Sequence, residues 1–438
     1  MRKTNPQTVE SIKKLANDLR VSCNVSPDTF FPIKDYILSL HNKGELTYQI
    51  LEDDDPLFGN DELTLAFYSD KDNTIYVKDK VDAGSEENDY RSNFTLAHEL
   101  FHYMQVKLLD CKFEEVDRTE SYMDPEWQAD EFAGQLLIPE EYTNLSDEEI
   151  SERFHVSLEC AAYRKLKKKN RYLTKQFKLY LPRVIDKLKE YKYLDAIKEA
   201  KKLIALEDSQ TLQKRAFDNK VETYLYLLLN EDKSVERQVV DFKELFSLYA
   251  DALIHTNAYD EAETYFEKAL QIAPFGTFNR VQYIETFKLR NDLDNFYKRS
   301  IEALKYSYKK EQFFLYYRNI SDYYFKKENY VEALYMMLFA RYVDEEKIEE
   351  SNSELFKIYD CLGKKLDPSI DAIINFMDNK EIPTPVIAID NLNRIYNTIY
   401  ETDYLVANEV LSLLYDLSND IRYLELKEKR EKTNNNVN

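Results

Sequence analysis

The sequence predicts two architectures in one chain, a mixed α+β region first and an all-α region after it. Glycine and proline are scarce, at 6 and 11 of 438 residues, and most of them precede Glu140. Alternation of apolar and polar residues, which indicates β-strands, is confined to the stretch between Leu46 and Lys78. Elsewhere apolar residues follow the helical period, and few turn-forming residues interrupt them. A long helical region is therefore expected to follow a small sheet.

Composition and charge exclude several classes of protein. No glycine-rich loop is present, which excludes a doubly wound dinucleotide-binding fold. The formal net charge is −21 and the isoelectric point is near 4.9, so the chain as a whole should be repelled by nucleic acid and by anionic membranes. The four cysteines are scattered, and the sequence shows neither an apolar leader nor a membrane-spanning segment. We expect a reduced, cytoplasmic protein with no membrane partner.

The N-terminal region is predicted to contain two helices and a small sheet. The first helix carries apolar residues from Val9 to Leu19, and the second opens near Pro32 and stops before Gly44. Three short β-rich runs follow, of which the last two are joined by a hairpin turn. The runs are Leu46 to Ile50, Leu63 to Tyr68 and Thr74 to Lys78.

The candidate chemical centre is the motif His98-Glu99-Leu-Phe-His102. Its spacing places two imidazoles one turn apart on one face of a helix, where both can ligate one zinc ion. Glu99 lies beside them and can act as general base toward a water molecule at the metal. Only five histidines occur in the chain, so this spacing would rarely arise by chance. The alternative is two surface histidines on an amphipathic helix.

A second predicted helix supplies two carboxylates. It begins with Asp124 as N-cap and Pro125 in the first turn, and it ends at Pro139. Its apolar stripe is expected to turn Glu126 and Asp130 inward, where a carboxylate needs a counter-ion. Glu126 is the candidate third metal ligand, and Asp130 is the candidate acceptor that orients a ligand imidazole. The alternative is that both carboxylates are simply solvated. The side chains expected to face away from the stripe are Gln128, Glu131 and Gln135.

The two motifs together, Phe94-Thr-Leu-Ala-His-Glu-Leu-x-His102 and Glu126-x-x-Ala-Asp-x-Phe-Ala-x-x-Leu-Leu-Ile-Pro139, resemble those of the ImmA/IrrE family of metallo-endopeptidases. Their order is also similar to the broader gluzincin arrangement, and the resemblance covers residues 5–170. It implies a zincin-like fold with a zinc ion, or manganese in some members. It also implies cleavage of helix-turn-helix repressors, which switches on prophage, mobile-element or stress genes.

One departure from the family pattern lies inside the first motif. Family members commonly have glycine where this chain has Phe101. Position 101 lies on the apolar stripe of its helix, so we expect a repacked core and unchanged ligands, with a narrower cleft as the alternative. No oxyanion-stabilising residue can be assigned. The candidates that are merely near in sequence are Arg91, Tyr103, Tyr122 and Tyr142.

A basic segment follows the second motif. Residues 144–166 are predicted to form two short helices around His155-Val-Ser157, which resembles a helix-turn-helix, and His155 is expected to be a turn residue. From Tyr163 to Tyr193 there are twelve Lys or Arg against two acidic residues. The segment is either a patch that contacts DNA or a repressor, or a junction whose lysines pair with acidic neighbours. The net charge of the whole chain opposes DNA binding.

A repeat dominates the remainder of the chain. Tyr-x-x-Ala occurs four times, and its alanines are 66, 71 and 74 residues apart, each about twice the 34-residue tetratricopeptide period. Small residues at these positions would let paired helices approach closely and bury a continuous core. The array resembles tetratricopeptide sensor domains, which implies binding of a regulatory peptide or protein, with a plain scaffold as the alternative. The pairs are Tyr193/Ala196, Tyr259/Ala262, Tyr330/Ala333 and Tyr404/Ala407.

The predicted organisation has four segments. They are a zincin-like metallopeptidase core (1–142), a helix-turn-helix-like basic linker (143–180), a tetratricopeptide-like superhelix (181–425) and a disordered tail (426–438). The predicted activity is that of a zinc-dependent metallo-endopeptidase, a hydrolase whose cleavage of a transcriptional repressor is controlled by the repeats. The rival functions are a non-proteolytic transcription regulator, binding DNA through residues 145–193 or binding a partner, and a scaffold in a toxin or phage-defence complex. A His/His/Glu site would accept manganese as well as zinc.

Overall fold

The computed structural model of the protein describes residues 2–58, 64–82, 86–111, 114–115, 121–230 and 234–435. The chain divides into two compact units, Met1–Tyr172 and Leu173–Asn438. This division lies inside the predicted 143–180 segment. Within the described ranges, no helix is both long and apolar enough to cross a bilayer.

The first unit surrounds a small mixed sheet with helices. Its elements are β1 (Arg2–Lys3), α1 (Val9–Ser22), α2 (Ile33–Asn42), β2 (Thr47–Leu51), β3 (Ala66–Ser69), β4 (Thr74–Lys78), α3 (Asp79–Asp82), α4 (Glu86–Lys107), β5 (Glu114–Glu115), α5 (Pro125–Leu137), α6 (Asp147–Phe154) and α7 (Leu158–Lys189), which continues past the division. The sheet has the order β2-β4-β3, in which β2 is parallel and β3 antiparallel to β4. β1 and β5 form a separate antiparallel pair.

Local sequence accounts for these elements. The Thr8 hydroxyl caps α1 by accepting from the Ser11 amide, and the predicted second helix begins directly after Pro32. The predicted hairpin turn between β3 and β4 is confirmed, and Asn73 adopts the left-handed conformation that closes it. The two early helices and the short sheet were therefore predictable, although Leu63 lies outside the described residues.

Helices α4 and α5 pack against each other in the core of the first unit. The Phe101 ring is fully buried and stacks on Phe132, with ring centroids 4.7 Å apart. Phe101 therefore contributes an aromatic contact to the helix interface. This agrees with the expected repacking of the core.

Helix α5 is enclosed on several sides, which overturns one expectation from the sequence. Gln128, Glu131 and Gln135 were expected to face away from the core, but their exposures are only 0%, 1% and 2%. The expectation assumed a helix with one buried face. In the structure α1 and α4 pack on different sides of α5, and side chains from α7 reach it as well.

The turn between α6 and α7 is built into the first unit. His155 ends α6 in the left-handed conformation, as expected of a turn residue, and its carbonyl oxygen accepts a hydrogen bond from the Asn93 side chain at 2.9 Å. The expectation of two short helices was wrong for the second one, because α7 runs for 32 residues. Its sequence up to Pro182 is dominated by Leu, Lys, Arg and Ala, which favour helices, and contains no glycine.

The first half of the basic segment pairs with groups of the same unit. Arg164 and Arg171 contact the buried Glu131 carboxylate at 3.2 and 3.0 Å. Lys165 pairs with Asp147 at 2.8 Å, and Lys168 donates to a backbone carbonyl at 3.2 Å. Up to Tyr172, the segment therefore behaves as the junction that the second interpretation describes.

The second unit is an array of helices in which many neighbours in sequence are also neighbours in space. From α10 to α15 each helix packs on the next, whereas α9 packs against α18 and α19. The helices are α8 (Tyr193–Ile204), α9 (Lys220–Asn230), α10 (Phe242–His255), α11 (Tyr259–Ile272), α12 (Thr277–Leu289), α13 (Leu293–Leu304), α14 (Lys310–Lys326), α15 (Tyr330–Val343), α16 (Asn352–Leu362), α17 (Ile370–Asn379), α18 (Val386–Ile399), α19 (Tyr404–Ser418) and α20 (Ile421–Asn435).

The Tyr-x-x-Ala pattern marks helix starts. Helices α8, α11, α15 and α19 each begin at the tyrosine of a repeat, and the alanine three residues later is fully buried in all four. Helix α13 begins at Leu293, 34 residues after Tyr259, and places the buried Phe296 at the equivalent position. The small residue lies where two helices pack, as the sequence predicted.

The C-terminal segment differs from the sequence-based expectation. Residues 426–438 were expected to be disordered, but α20 extends to Asn435, and 436–438 lie outside the described residues. The physical reason is that Glu, Lys, Arg and Leu, which predominate there, have high helix propensity despite their polarity. Lys427 and Arg430 also hydrogen-bond to side chains of α19.

Candidate metal centre

Two helices position the candidate ligands. Helix α4 presents His98 and His102 one turn apart, and the first turns of α5 present Glu126 and Asp130 toward them. The Asp124 carboxylate caps α5 by accepting from the Glu126 amide at 3.0 Å, which fixes where the helix starts.

Three donor atoms converge on one point. The Nε2 atoms of His98 and His102 are 3.0 Å apart, and they lie 3.2 and 3.5 Å from Oε2 of Glu126. Ligands at about 2.0–2.1 Å around a tetrahedral ion are about 3.3 Å from one another, so these spacings suit a zinc-type ion. The cluster is compatible with metal binding, and the donor set fits the ion that the motif implies.

The outer nitrogens of both imidazoles have their own partners. Nδ1 of His98 lies 3.0 Å from Oδ1 of Asp130, and Nδ1 of His102 lies 2.9 Å from Oε1 of Gln105. These acceptors favour a proton on each Nδ1, which leaves an Nε2 lone pair on each ring. Two lone pairs that face each other at 3.0 Å repel unless a cation or a proton lies between them.

A chain of buried amides determines the orientation of His102. Gln128 donates through Nε2 to the carbonyl oxygens of Asn5 and Tyr122 at 2.9 and 2.8 Å. Its Oε1 must therefore be the acceptor for Nε2 of Gln105, at 2.8 Å. The Oε1 of Gln105 is then left to accept from His102. Because backbone carbonyls can only accept, they fix the direction of every bond in the chain.

The charges around the cluster are unbalanced. In the described part of the chain no Lys or Arg forms an ion pair with Glu126 or Asp130; their only ion-pair partners are the imidazoles. Burial opposes a charged His98, yet hydrogen bonds to Asp130 and Glu126 raise its pKa to about 10. Hydrogen bonds from His102 and His98 hold the pKa of Glu126 well below its usual range. The site therefore favours a positive charge at its centre.

Glu99 lies beside the cluster in a different environment. Its carboxylate is only 7% exposed, and one oxygen, Oε2, accepts from the Tyr68 amide of β3 at 2.8 Å. Burial raises the pKa of Glu99, opposed by the charges of His102 and His98. This carboxyl group is held by the backbone of β3 beside the two histidines, where it can accept and return a proton.

The cluster opens into a cavity of about 470 Å³. One wall consists of β3 and the residues before it, and the other carries the two histidines, Glu99 and Glu126. Phe101 does not line this cavity, so the structure does not support the narrower-cleft alternative. The four oxyanion candidates near in sequence are also missing from its described lining, namely Arg91, Tyr103, Tyr122 and Tyr142.

The structure brings together the predicted site residues and adds two that the sequence did not reveal. His98, His102 and Glu126 contact one another and Asp130 contacts His98, although the Glu126 and Asp130 side chains are 67% and 39% exposed instead of turned into the core. Uncharged amides carry no spacing signal, so Gln105 was not predicted and Gln128 was predicted only to face away from the core. The available indication of their burial was that both lie on helices in which many neighbouring residues are apolar.

Comparison with known protein families also supports a metal site formed by these two helices. Residues 83–165 match the family model of peptidase family M78, described as an IrrE N-terminal-like domain. The match spans both motif helices and supports the resemblance to the ImmA/IrrE family, with a metal-dependent, protease-like function. A search of curated proteins gives no match for the chain.

Proposed function

We propose that the chain is a zinc-dependent metallo-endopeptidase in which His98, His102 and Glu126 hold the metal. The observation that carries this proposal is the convergence of three donor atoms, without a Lys or Arg partner in the described residues, beside a buried carboxylate in an open cavity. When bound, a zinc-type ion supplies Lewis acidity that polarises a carbonyl and makes a water molecule more acidic. Manganese suits the same oxygen and nitrogen donors.

Proton transfer and the positioning of the metal ligands are assigned to residues of the chain. Glu99 takes the proton of the attacking water and passes it to the departing amine, a role that suits a carboxyl group with a raised pKa. Asp130 and Gln105 hold the two imidazoles through Nδ1, so that both Nε2 atoms stay in place. The Tyr68 amide holds Glu99 against β3.

The wall formed by β3 suits an extended peptide. β3 pairs with β4 on one side only within the described sheet, and residues 64–68 line the cavity. An edge strand offers backbone donors and acceptors to a peptide that adds alongside it. This geometry favours cleavage within a polypeptide, and hence an endopeptidase.

The proposed substrate rests on the family resemblance, and the proposed control of cleavage rests on the helical array. A helix-turn-helix transcriptional repressor is the substrate that the family resemblance implies. The second unit is proposed to be a tetratricopeptide-like array that binds a regulatory peptide or protein. Four helix starts with Tyr-x-x-Ala and a buried alanine support that assignment, as does the 34-residue step from Tyr259 to Leu293. We place the protein in the cytoplasm.

The first half of the basic segment, up to Tyr172, gives the alternative of a DNA-binding regulator no support. Arg164 and Arg171 are held by the buried Glu131, and Lys165 pairs with Asp147. These cations serve the fold of the first unit, which leaves fewer of them to meet phosphates.

The experiment compares the wild type with Glu99→Gln after loading with Zn²⁺ or Mn²⁺. Each is incubated with a purified helix-turn-helix repressor of the source organism, with any repressor encoded beside its gene tested first, and new N-termini are identified by mass spectrometry. The wild type should cleave at defined bonds, whereas Glu99→Gln should keep its metal and lose activity by about 10²–10⁴-fold. Equal processing by both proteins would refute the role of Glu99. An intact repressor with fully loaded wild type would refute the proposed substrate.

A further inference from the structure

The second unit contains a cavity of about 540 Å³ that the peptidase proposal does not use. It lies among residues of α9, α11, α12 and α13 and the loops beside them. Its size is typical of sites for small ligands or a few residues of a peptide. Its lining is unusual for this chain, because four cationic side chains face two carboxylates in a protein of net charge −21.

One of the cations is a buried arginine without a carboxylate partner. Arg280 is only 7% exposed, and no carboxylate of the described residues forms an ion pair with it. Its guanidinium donates to the Pro274 carbonyl and lies over the Tyr306 ring, 4.2 Å from the centroid. These contacts compensate part of the cost of burying the charge, but they neutralise none of it.

Two more cations of the lining also have no carboxylate partner among the described residues. Arg215 donates to the Tyr226 hydroxyl at 3.1 Å and to the Leu212 carbonyl at 2.8 Å, and the structure shows no ion pair for it or for the exposed Lys305 in the described part of the chain. Three cations thus line the cavity without a counter-ion from the described residues.

Several other arginines of the array are neutralised by carboxylates. Arg299, in the same lining, contacts Glu302 at 2.9 Å and Glu267 at 3.2 Å. Arg290, at the end of α12, pairs with two carboxylates, and Arg318 pairs with one. Within the described part of the second unit, Arg280 is the only arginine that is buried, and no carboxylate lies within ion-pair distance of it.

The chemistry of the lining defines a ligand class. A guanidinium presents paired N–H donors that match the two oxygens of a carboxylate. Apolar side chains form another part of the wall, among them Leu270, Phe275 and Ile284. A carboxylate that carries an apolar group satisfies both surfaces. This chemistry is shared by the C-terminal residues of a peptide and by a small aryl or alkyl acid.

We propose that this cavity binds a carboxylate that carries an apolar group, with Arg280 as its principal contact and Arg215 and Lys305 at its side. The binding itself depends only on the second unit. Its use as the signal that controls cleavage rests on the proposed function. A binding assay therefore tests this inference without reference to peptidase activity.

The experiment titrates the full-length protein with three probes, using isothermal calorimetry. The probes are N-acetyl-Leu-Phe with a free carboxylate, its C-terminal carboxamide, and 4-phenylbutyrate. At least one of the two acids should bind the protein more tightly than the carboxamide does. Either the free peptide binds at least about tenfold more tightly than the carboxamide, or phenylbutyrate binds and the carboxamide does not. A peptide-only response identifies a peptide terminus as the source, and an equal response to phenylbutyrate identifies a small acid.

Two variants locate the binding. Arg280→Met should abolish the preference for the acid, and Lys305→Ala, which alters an exposed side chain and cannot threaten the fold, should weaken it several-fold. Arg290→Met is the matched control, because that arginine is already neutralised and lies outside the lining. If neither acid binds the wild type, or if acid and carboxamide bind equally, or if both cavity variants bind like the wild type, the proposal is wrong.

Discussion

Two polar clusters lie on different sides of helix α5, and they are completed in different ways. On one side the Glu131 carboxylate is buried and meets Arg164 and Arg171, which belong to the same chain. On the other side, the ion-pair partners of Glu126 and Asp130 among the described residues are imidazoles alone. The first cluster has its counter-charge built in, whereas the second needs a proton or a metal ion.

Of the two clusters on α5, the one around Glu131 therefore contributes to stability and the one around Glu126 and Asp130 to function. A buried ion pair whose partners are all present serves the fold, and breaking it leaves an uncompensated charge. A cluster that lacks its counter-charge marks a place where something is bound. The cavity in the second unit has the opposite imbalance, with cations that lack anions. The sign of the imbalance indicates the kind of ligand in both cases.

The largest expected effect on stability follows removal of Glu131. Glu131→Leu should lower the free energy of unfolding of the first unit by about 3–5 kcal/mol, because two arginines lose their carboxylate. Trp127 is the single tryptophan and lies on α5, so its fluorescence in a urea titration reports this unit alone. Lys165→Ala, which breaks a half-exposed pair, is the matched control and should cost less than about 1 kcal/mol. A loss of metal affinity without a loss of stability in Glu131→Leu would contradict the comparison.

The cluster of His98, His102, Glu126 and Asp130, which we call the open cluster, should show the opposite response to substitution, with a change in metal affinity and little change in stability. Asp130→Ala removes the acceptor of His98 and should weaken zinc affinity by about 10–100-fold, with little change in the urea midpoint. Affinity is measured by competition with a chromophoric chelator. Asp147→Ala, which removes a carboxylate remote from the histidines, should leave affinity unchanged. Equal affinities for the two variants would show that Asp130 does not orient a ligand.

Protons should compete with the metal for the same place. The pKa of His98 is raised to about 10 in the metal-free protein, so its proton must leave when the metal binds near neutral pH. Calorimetry in two buffers of different ionisation enthalpy should show release of about one proton per metal at pH 7.5. The charged imidazole stabilises the metal-free fold fully below about pH 6.5, and this contribution is lost as the pH rises through about 10. Binding without proton release would contradict this description of the cluster.

The smallest expected effect concerns the amide chain. Gln105→Leu removes the acceptor for Nδ1 of His102 and should reduce metal affinity by about tenfold or less. The decisive readout is nitrogen-15 NMR of the metal-free protein, in which His102 should change from one tautomer to a mixture. A single unchanged tautomer in Gln105→Leu would show that the chain from Gln128 does not control the ring.

The sequence predicted the part of the site that depends on spacing along a helix. His98 and His102 are one turn apart whatever surrounds them, and the Asp124-Pro125 start fixes the register of Glu126 and Asp130. The prediction from sequence failed where the burial of a side chain depends on neighbours from distant segments. Glu131 belongs to the core only because Arg164 and Arg171, 33 and 40 residues later, reach it. Helical periodicity alone describes one buried face and cannot anticipate a helix enclosed on several sides.

The most direct test of the central claim measures the metal content of the wild type and two histidine variants. Each protein is incubated with excess Zn²⁺, freed of unbound metal, and analysed by inductively coupled plasma mass spectrometry. The wild type and His255→Ala, a variant of an exposed histidine in the second unit, should each retain about one ion per chain, and His102→Ala should retain almost none. A wild type that stays metal-free, or a His102→Ala variant that keeps its ion, would contradict the assignment of the open cluster as a metal site.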